Sequence, residues 1–254
     1  MIQFPTSRTA LIAYVTCGDP DLAATRDIVL AAIHAGADLV ELGVPFSDPV
    51  ADGPVIQRAS ERALGKGVTL EQVLRLAASI RRRTSAGLIV FSYFNPVLQF
   101  GLDRFAATAA DAGLDGALIT DLTVEEASEY LRRMRVRKLA TVFLAAPTST
   151  DARLRAIARA STGFVYAVSR TGVTGARKQF TGDARSLVRR LRRFTQLPIA
   201  LGFGISTPAQ FRAAARFADA VVVGSAIVQT IERSGRRRAA SAVAKLIAAM
   251  KRSR

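Results

Sequence analysis

Eight short apolar runs, each followed by a segment of helical periodicity, recur along the whole chain. They lie at 9–15 (TALIAYV), 38–42 (DLVEL), 88–93 (LIVFSY), 115–119 (DGALI), 138–144 (KLATVFL), 163–168 (GFVYAV), 197–201 (LPIAL) and 219–223 (DAVVV). Such near-continuous runs are the pattern of strands buried on both faces of a parallel sheet. Between them the period changes. In 21–35, Ile28, Ala31 and Ala32 recur at helical spacing, and Asp19 or Asp21 can cap the start. Over 69–83, Thr69 and Gln72 match a capping box. No linker, repeat array or low-complexity stretch interrupts the alternation. The expected fold is α/β: a single (β/α)8 TIM barrel over 1–254, one domain, with its active site at the C-terminal ends of the strands. A doubly wound open sheet is the alternative; eight units and the lack of an early G-x-G-x-x-G count against it. The 254 residues suit one barrel, and the 50% that are hydrophobic can fill its core.

No run of 18 apolar residues occurs, so a membrane span is not expected. The opening MIQFPTSRTALIAYVTC lacks a small-x-small cleavage site and reads as a first strand, not a signal peptide. The lone Cys17 excludes an internal disulfide framework and suits a reducing cytoplasm.

A net charge of +16 raises the question of nucleic acid. The charges are dispersed, however: RRR at 81–83, RRMRVRK at 132–138, RRLRR at 189–193, RRR at 236–238 and KRSR at the end. Most fall on the outer faces of expected helices, and the aromatic motifs of small RNA-binding domains are absent. Solvated helix faces are the first reading. Non-specific attraction of polyanions, or steering of an anionic substrate, is the second.

The unusual residues cluster where a barrel keeps its chemistry. After the second strand comes ELGVPFSDPVADGPVIQ (41–57), a proline-stiffened loop carrying Glu41, Asp48 and Asp52. After the sixth comes SRTGVTGARKQFTGD (169–183), after the seventh GFGIS (202–206), and after the eighth GSAIV (224–228). Gly202, Gly204 and Gly224 allow backbone amides close to an anion, and a helix starting at Ser225 adds its positive end. That suits a phosphate grip; tight turns made for packing are the plainer reading.

Elimination narrows the chemistry. A Schiff-base lysine should end a strand. Lys138 starts one, and Lys66, Lys178, Lys245 and Lys251 lie elsewhere. The only histidine, His34, falls in the first helix, so metal-ligand sets and Ser–His or Cys–His nucleophiles lack a partner. Cys17 reads as packing. Carboxylates remain. Glu41 can project into the barrel mouth with a raised pKa, and Asp52 can fold over it; the pair suits proton transfer on an organic phosphate. A rim ion pair for Glu41 and a turn cap for Asp48 are the structural alternatives.

LVELGVPFSDPVADGPVIQRAS (39–60) resembles the signature of the tryptophan synthase α subunit family almost letter for letter. The resemblance continues through YFNPVLQFG (93–101), GLDGALITDL (113–122), YAVSRTGVTGAR (166–177), GFGIS and VVVGSAIV (221–228). It implies a (β/α)8 barrel that cleaves indole-3-glycerol phosphate to indole and glyceraldehyde 3-phosphate. The implied catalytic residues are Glu41 and Asp52. The implied phosphate contacts are Gly175, Gly204, Gly224 and Ser225. The implied indole pocket is Tyr14, Phe91, Leu118, Leu144, Tyr166, Thr174 and Phe203. Pro45, Asp48, Asn95 and Pro96 match segments that meet a β subunit, in an expected α2β2 assembly. No cofactor or metal is expected in this chain; pyridoxal phosphate belongs to the β partner. The loop from Arg170 to about Phe180 is expected to act as a lid. Three features depart from the family: Thr123 stands where proline is common, few residues precede the first strand, and the net charge of +16 is unusually basic. A stand-alone indole-releasing lyase and a non-catalytic polyanion-binding barrel are the competing functions.

Overall fold

A computed structural model describes residues 2, 4–168, 177–202 and 204–252, without the side chains of 177–182. Eight parallel strands close into a barrel in sequence order, β1 pairing with both β2 and β8. The first half runs β1 (Ala10–Thr16), α1 (Leu22–His34), β2 (Leu39–Gly43), α2 (Pro54–Leu64), α3 (Leu70–Arg81), β3 (Gly87–Ser92), α4 (Phe94–Phe100), α5 (Leu102–Asp111) and β4 (Gly116–Ile119). The second runs α6 (Ser128–Val136), β5 (Ala140–Ala145), α7 (Asp151–Ala160), β6 (Val165–Val168), α8 (Arg177–Arg192), β7 (Ile199–Gly202), α9 (Pro208–Ala215), β8 (Ala220–Val223) and α10 (Ser225–Arg252). Strand bounds fall within two residues of the apolar runs. The open-sheet alternative is excluded by closure between β8 and β1.

Strand periodicity divides the apolar side chains between two cores. Ile12, Leu39, Ile89, Leu118, Val142 and Val222 fill the barrel interior. Their strand neighbours, such as Leu11, Val40, Leu88 and Val221, face the surrounding helices. Ile2 and Phe4 pack against the interior cluster, Phe4 edge-on to Phe164 at 5.6 Å.

Three aspartates that open apolar runs prove to stand just before their strands. Asp38, Asp115 and Asp219 accept the backbone N–H of Leu11 (2.8 Å), Leu88 (2.9 Å) and Ile199 (2.7 Å) on the adjacent strand. Each also meets cations: Arg8 and Lys251 on Asp38, Arg81 on Asp115, Arg192 on Asp219. These carboxylates lock the N-terminal end of the barrel, the end that serves stability in this fold. Lys138, expected within the fifth strand, lies in the turn before β5 with φ 55°. Asp21, not Asp19, caps α1 through the Ala24 amide (2.7 Å), while Asp19 pairs with Arg62. The capping box of Thr69 and Gln72 forms as expected.

Candidate active site

The opposite end of the barrel is built differently. Register aligns Tyr14 of β1, Glu41 of β2 and Ile89 of β3, so all three point inward at one level. Glu41 is fully buried, and neither carboxyl oxygen has a hydrogen-bond partner among the described residues. Burial alone pushes its pKa from 4.5 to about 8. The rim ion pair considered for Glu41 is therefore absent among the described residues. A buried polar group left unpaired is costly, and such groups concentrate where a ligand is to be met.

Asp52 reaches the same cavity from the β2–α2 loop. Asp52 is half-buried, immediately before the Gly53 cap of α2. The Tyr93 hydroxyl donates to its Oδ2 (3.0 Å) and accepts from the Ala51 amide (3.0 Å). The loop is further tied by Gln57 Nε2, which donates to the Asp52 carbonyl (2.9 Å). Burial raises the Asp52 pKa to about 6, against the lowering effect of the Tyr93 bond. Glu41 is thus mainly protonated and Asp52 mainly ionised near neutral pH. Two carboxyls separated in this way divide the roles of acid and charge acceptor.

The cavity has a volume of about 230 Å³ and is lined by Tyr14, Glu41, Asp52, Gly53, Ile56, Phe91, Tyr166, Gly204, Val222, Gly224 and Ser225. Tyr14 and Tyr166 lie flat over the strands beside them. A Cβ on Gly43 would fall 2.3 Å from the Tyr14 hydroxyl, and one on Gly202 would fall 2.1 Å from that of Tyr166. Burial first, then the nearby carboxylates, raises both phenol pKa values, so both rings stay neutral. Opposite the acids, the Gly224 carbonyl accepts from Ile227 (2.8 Å) and Val228 (3.1 Å), which makes Gly224 the cap of α10. The Ser225 and Ala226 amides belong to the first turn and have no acceptor inside the helix. Helix α10 breaks at Gly235 (φ 65°, ψ 168°), so its first segment is the short extra helix expected after the eighth strand.

Of the residues singled out from sequence, Tyr14, Glu41, Asp52, Phe91, Tyr166, Gly204, Gly224 and Ser225 come together in this cavity. Leu118 is fully buried in the barrel interior beneath it. Leu144 lines a neighbouring cavity of about 470 Å³ between the ends of β4, β5 and β6. Thr174, Gly175 and Phe203 lie outside the described residues, as does most of the 170–180 segment. Pro45 is buried and Asp48 exposed, its carboxylate held by the Ser47 hydroxyl (2.5 Å). Asn95 is exposed and Pro96 half-buried on α4, whose first amide, Phe94, donates to Asp121 (2.7 Å). Cys17 is buried, and His34 is exposed with Nδ1 on the Leu30 carbonyl (2.7 Å). Among the described residues, no three His, Cys, Asp or Glu side chains are placed to hold a metal. Gly53, Ile56 and Val222 were not singled out from sequence, nor was any role for Tyr93. Its hydroxyl meets a carboxylate 41 residues away in sequence, a pairing that only the tertiary fold reveals.

A closed eight-stranded parallel barrel whose mouth brings two carboxyl groups opposite a glycine-capped helix N-terminus is the architecture of a TIM-barrel enzyme. Comparison with known proteins specifies it further. The sequence pattern of the tryptophan synthase alpha chain matches residues 3–253, and the chain belongs to that family. It is 54% identical over 228 residues to the tryptophan synthase alpha chain of Solibacter usitatus, covering 90% of this chain and 85% of that one. Over 227 residues it is 50% identical to that of Geobacter sulfurreducens, covering 89% and 86%. A solved mutant alpha-subunit from Pyrococcus furiosus superposes with a TM-score of 0.90 at 37% identity, covering 98% and 99%. A chain of the tryptophan synthase complex from the same organism gives 0.88 at 37%, with the same coverage.

Proposed function

We propose that this chain is the lyase subunit of tryptophan synthase, cleaving indole-3-glycerol phosphate by a retro-aldol step. Glu41 protonates indole C3, and its carboxylate then takes the proton of the side-chain hydroxyl. The bond from C3 to the side chain breaks, its electron pair returns to the ring, and the hydroxyl carbon becomes the aldehyde of glyceraldehyde 3-phosphate. Asp52 accepts the indole N–H and offsets the positive charge that develops on the ring. Phe91, Tyr14 and Tyr166 flank the ring. Gly204, Gly224 and Ser225 receive the phosphate at the head of α10. Leu118 and Leu144 support or border the pocket; Thr174, Gly175 and Phe203, which the resemblance implies for it, lie outside the described residues. The single observation that carries this reading is Glu41: a fully buried carboxyl without a hydrogen-bond partner among the described residues, in the cavity that Asp52 enters.

Indole leaves for a β subunit, where pyridoxal phosphate supplies the chemistry of the second half-reaction. The partner face takes in Pro45, Asp48, Asn95 and Pro96, in an α2β2 assembly in the cytoplasm. Among the described residues no helix is long and apolar enough to cross a membrane. Incubation of the purified chain with indole-3-glycerol phosphate should release indole and glyceraldehyde 3-phosphate in equal amounts. A matched β subunit should raise that rate. A chain that binds the substrate but forms neither product overturns the reading.

A further inference from the structure

We infer that Tyr93 is the positioning residue that aims the Asp52 carboxylate at the substrate. This rests on the lyase reading above, in which Asp52 must accept the indole N–H.

The geometry fixes the direction of the bond. The Ala51 amide donates to the Tyr93 hydroxyl (3.0 Å), which occupies the acceptor side of that oxygen. The phenolic proton is then directed to Asp52 Oδ2 (3.0 Å). A donor of this kind stabilises the carboxylate over the acid. Oδ1 has no hydrogen-bond partner among the described residues, so one oxygen is anchored and the other is left for the substrate. Tyr93 itself is rigid. It is 2% exposed, and Phe46 stacks on its ring with centroids 4.9 Å apart and planes 30° apart. Phe46 and Ala51 both belong to the β2–α2 loop that carries Asp52, so Tyr93 is gripped by the loop it organises.

Nothing else described performs this task. The titratable side chains that share the cavity with Asp52 are Tyr14 from β1, Glu41 from β2 and Tyr166 from β6, and Tyr93 after β3 bonds it; none of them is cationic. No lysine or arginine among the described residues forms an ion pair with Asp52. Burial pushes its pKa up, and the Tyr93 bond is the opposing influence. Asp121 faces Tyr93 from the end of β4, and like Asp52 it favours the protonated phenol.

The test is Tyr93→Phe, with two readouts. The Asp52 carboxyl is titrated by carbon NMR in the free chain, and kcat/KM for indole formation is measured from pH 5 to 9. Loss of the donor should raise the Asp52 pKa and the acid limb of the profile by about one unit. At pH 6 kcat/KM should fall roughly fivefold, recovering to within about twofold near pH 7.5, because a pH rise restores the ionised form. A uniform loss at every pH, or an unmoved Asp52 titration, would overturn the proposal by reducing Tyr93 to a packing residue. Should the phenylalanine variant fold poorly, 3-fluorotyrosine at position 93 keeps the shape and strengthens the donor. It should move the Asp52 titration and the acid limb downward, and no movement overturns the proposal equally. The NMR readout needs no catalysis. A shifted Asp52 titration in a chain that forms no indole would uphold the Tyr93–Asp52 pairing and reject the lyase reading.

Discussion

Glu41 is a stability cost retained for chemistry, and pH exposes that cost. Its folded pKa, about 8, stands above the ordinary 4.5, so the folded state binds the proton more tightly than the unfolded chain. Stability therefore falls as pH rises from 4.5 to about 8, by at most about 4–5 kcal/mol from this group. Glu41→Gln carries no such charge. Thermal unfolding should show the variant gaining on wild type between pH 5 and pH 8.5, by several degrees. A difference that stays constant with pH would mean that Glu41 is not buried as a neutral acid. The residue was legible in the sequence because an acid within a buried strand, at the chemical end of a barrel, has few structural uses. Asp52 was legible from its motif and loop. Tyr93 was not, because its role depends on a contact between two loops.

At the scale of elements, the alternation of apolar run and helical period fixed the eight units in advance. The misreadings came at strand entrances. The apolar runs include Asp38, Asp115 and Asp219 in their strands, yet these residues stand just before β2, β4 and β8 and accept hydrogen bonds from backbone amides of the preceding strand. The same residue type clamps strands at one end of the barrel and, as Asp52, enters the cavity at the other, and only the end it occupies separates the two settings. The β8–α10 turn belongs to the chemical end. Inorganic phosphate or a glycerol-phosphate analogue should bind at the head of α10 and raise the melting temperature by mass action. Gly224→Asp should remove that rise, because its carboxylate occupies the anion's place. A rise that survives the change would assign phosphate binding to the dispersed basic surface.

On the scale of the molecule, the β2–α2 loop and α4 form one surface beside the mouth, joined by Phe46 and Tyr93. Among the described residues, Val50 (86% exposed) and Leu98 (51%) are two of the three exposed large apolar side chains. A face that offers apolar side chains next to a catalytic loop suits a partner that reports its presence to Asp52. Adding a matched β subunit should slow amide exchange across 45–50 and 94–98 without substrate; unchanged exchange there would place the docking surface elsewhere. The arginine-rich outer faces were legible only as charge. Many of these side chains close ion pairs between neighbouring helices, such as Arg133 with Asp103 and Arg190 with Asp151. In the proposed reaction Glu41 moves the protons, and the rate of indole formation by Glu41→Gln tests that role most directly. In a folded preparation free of wild-type enzyme, that rate should drop by at least about 10²-fold, the usual weight of a general acid–base group. A rate within about tenfold of wild type would contradict the assignment.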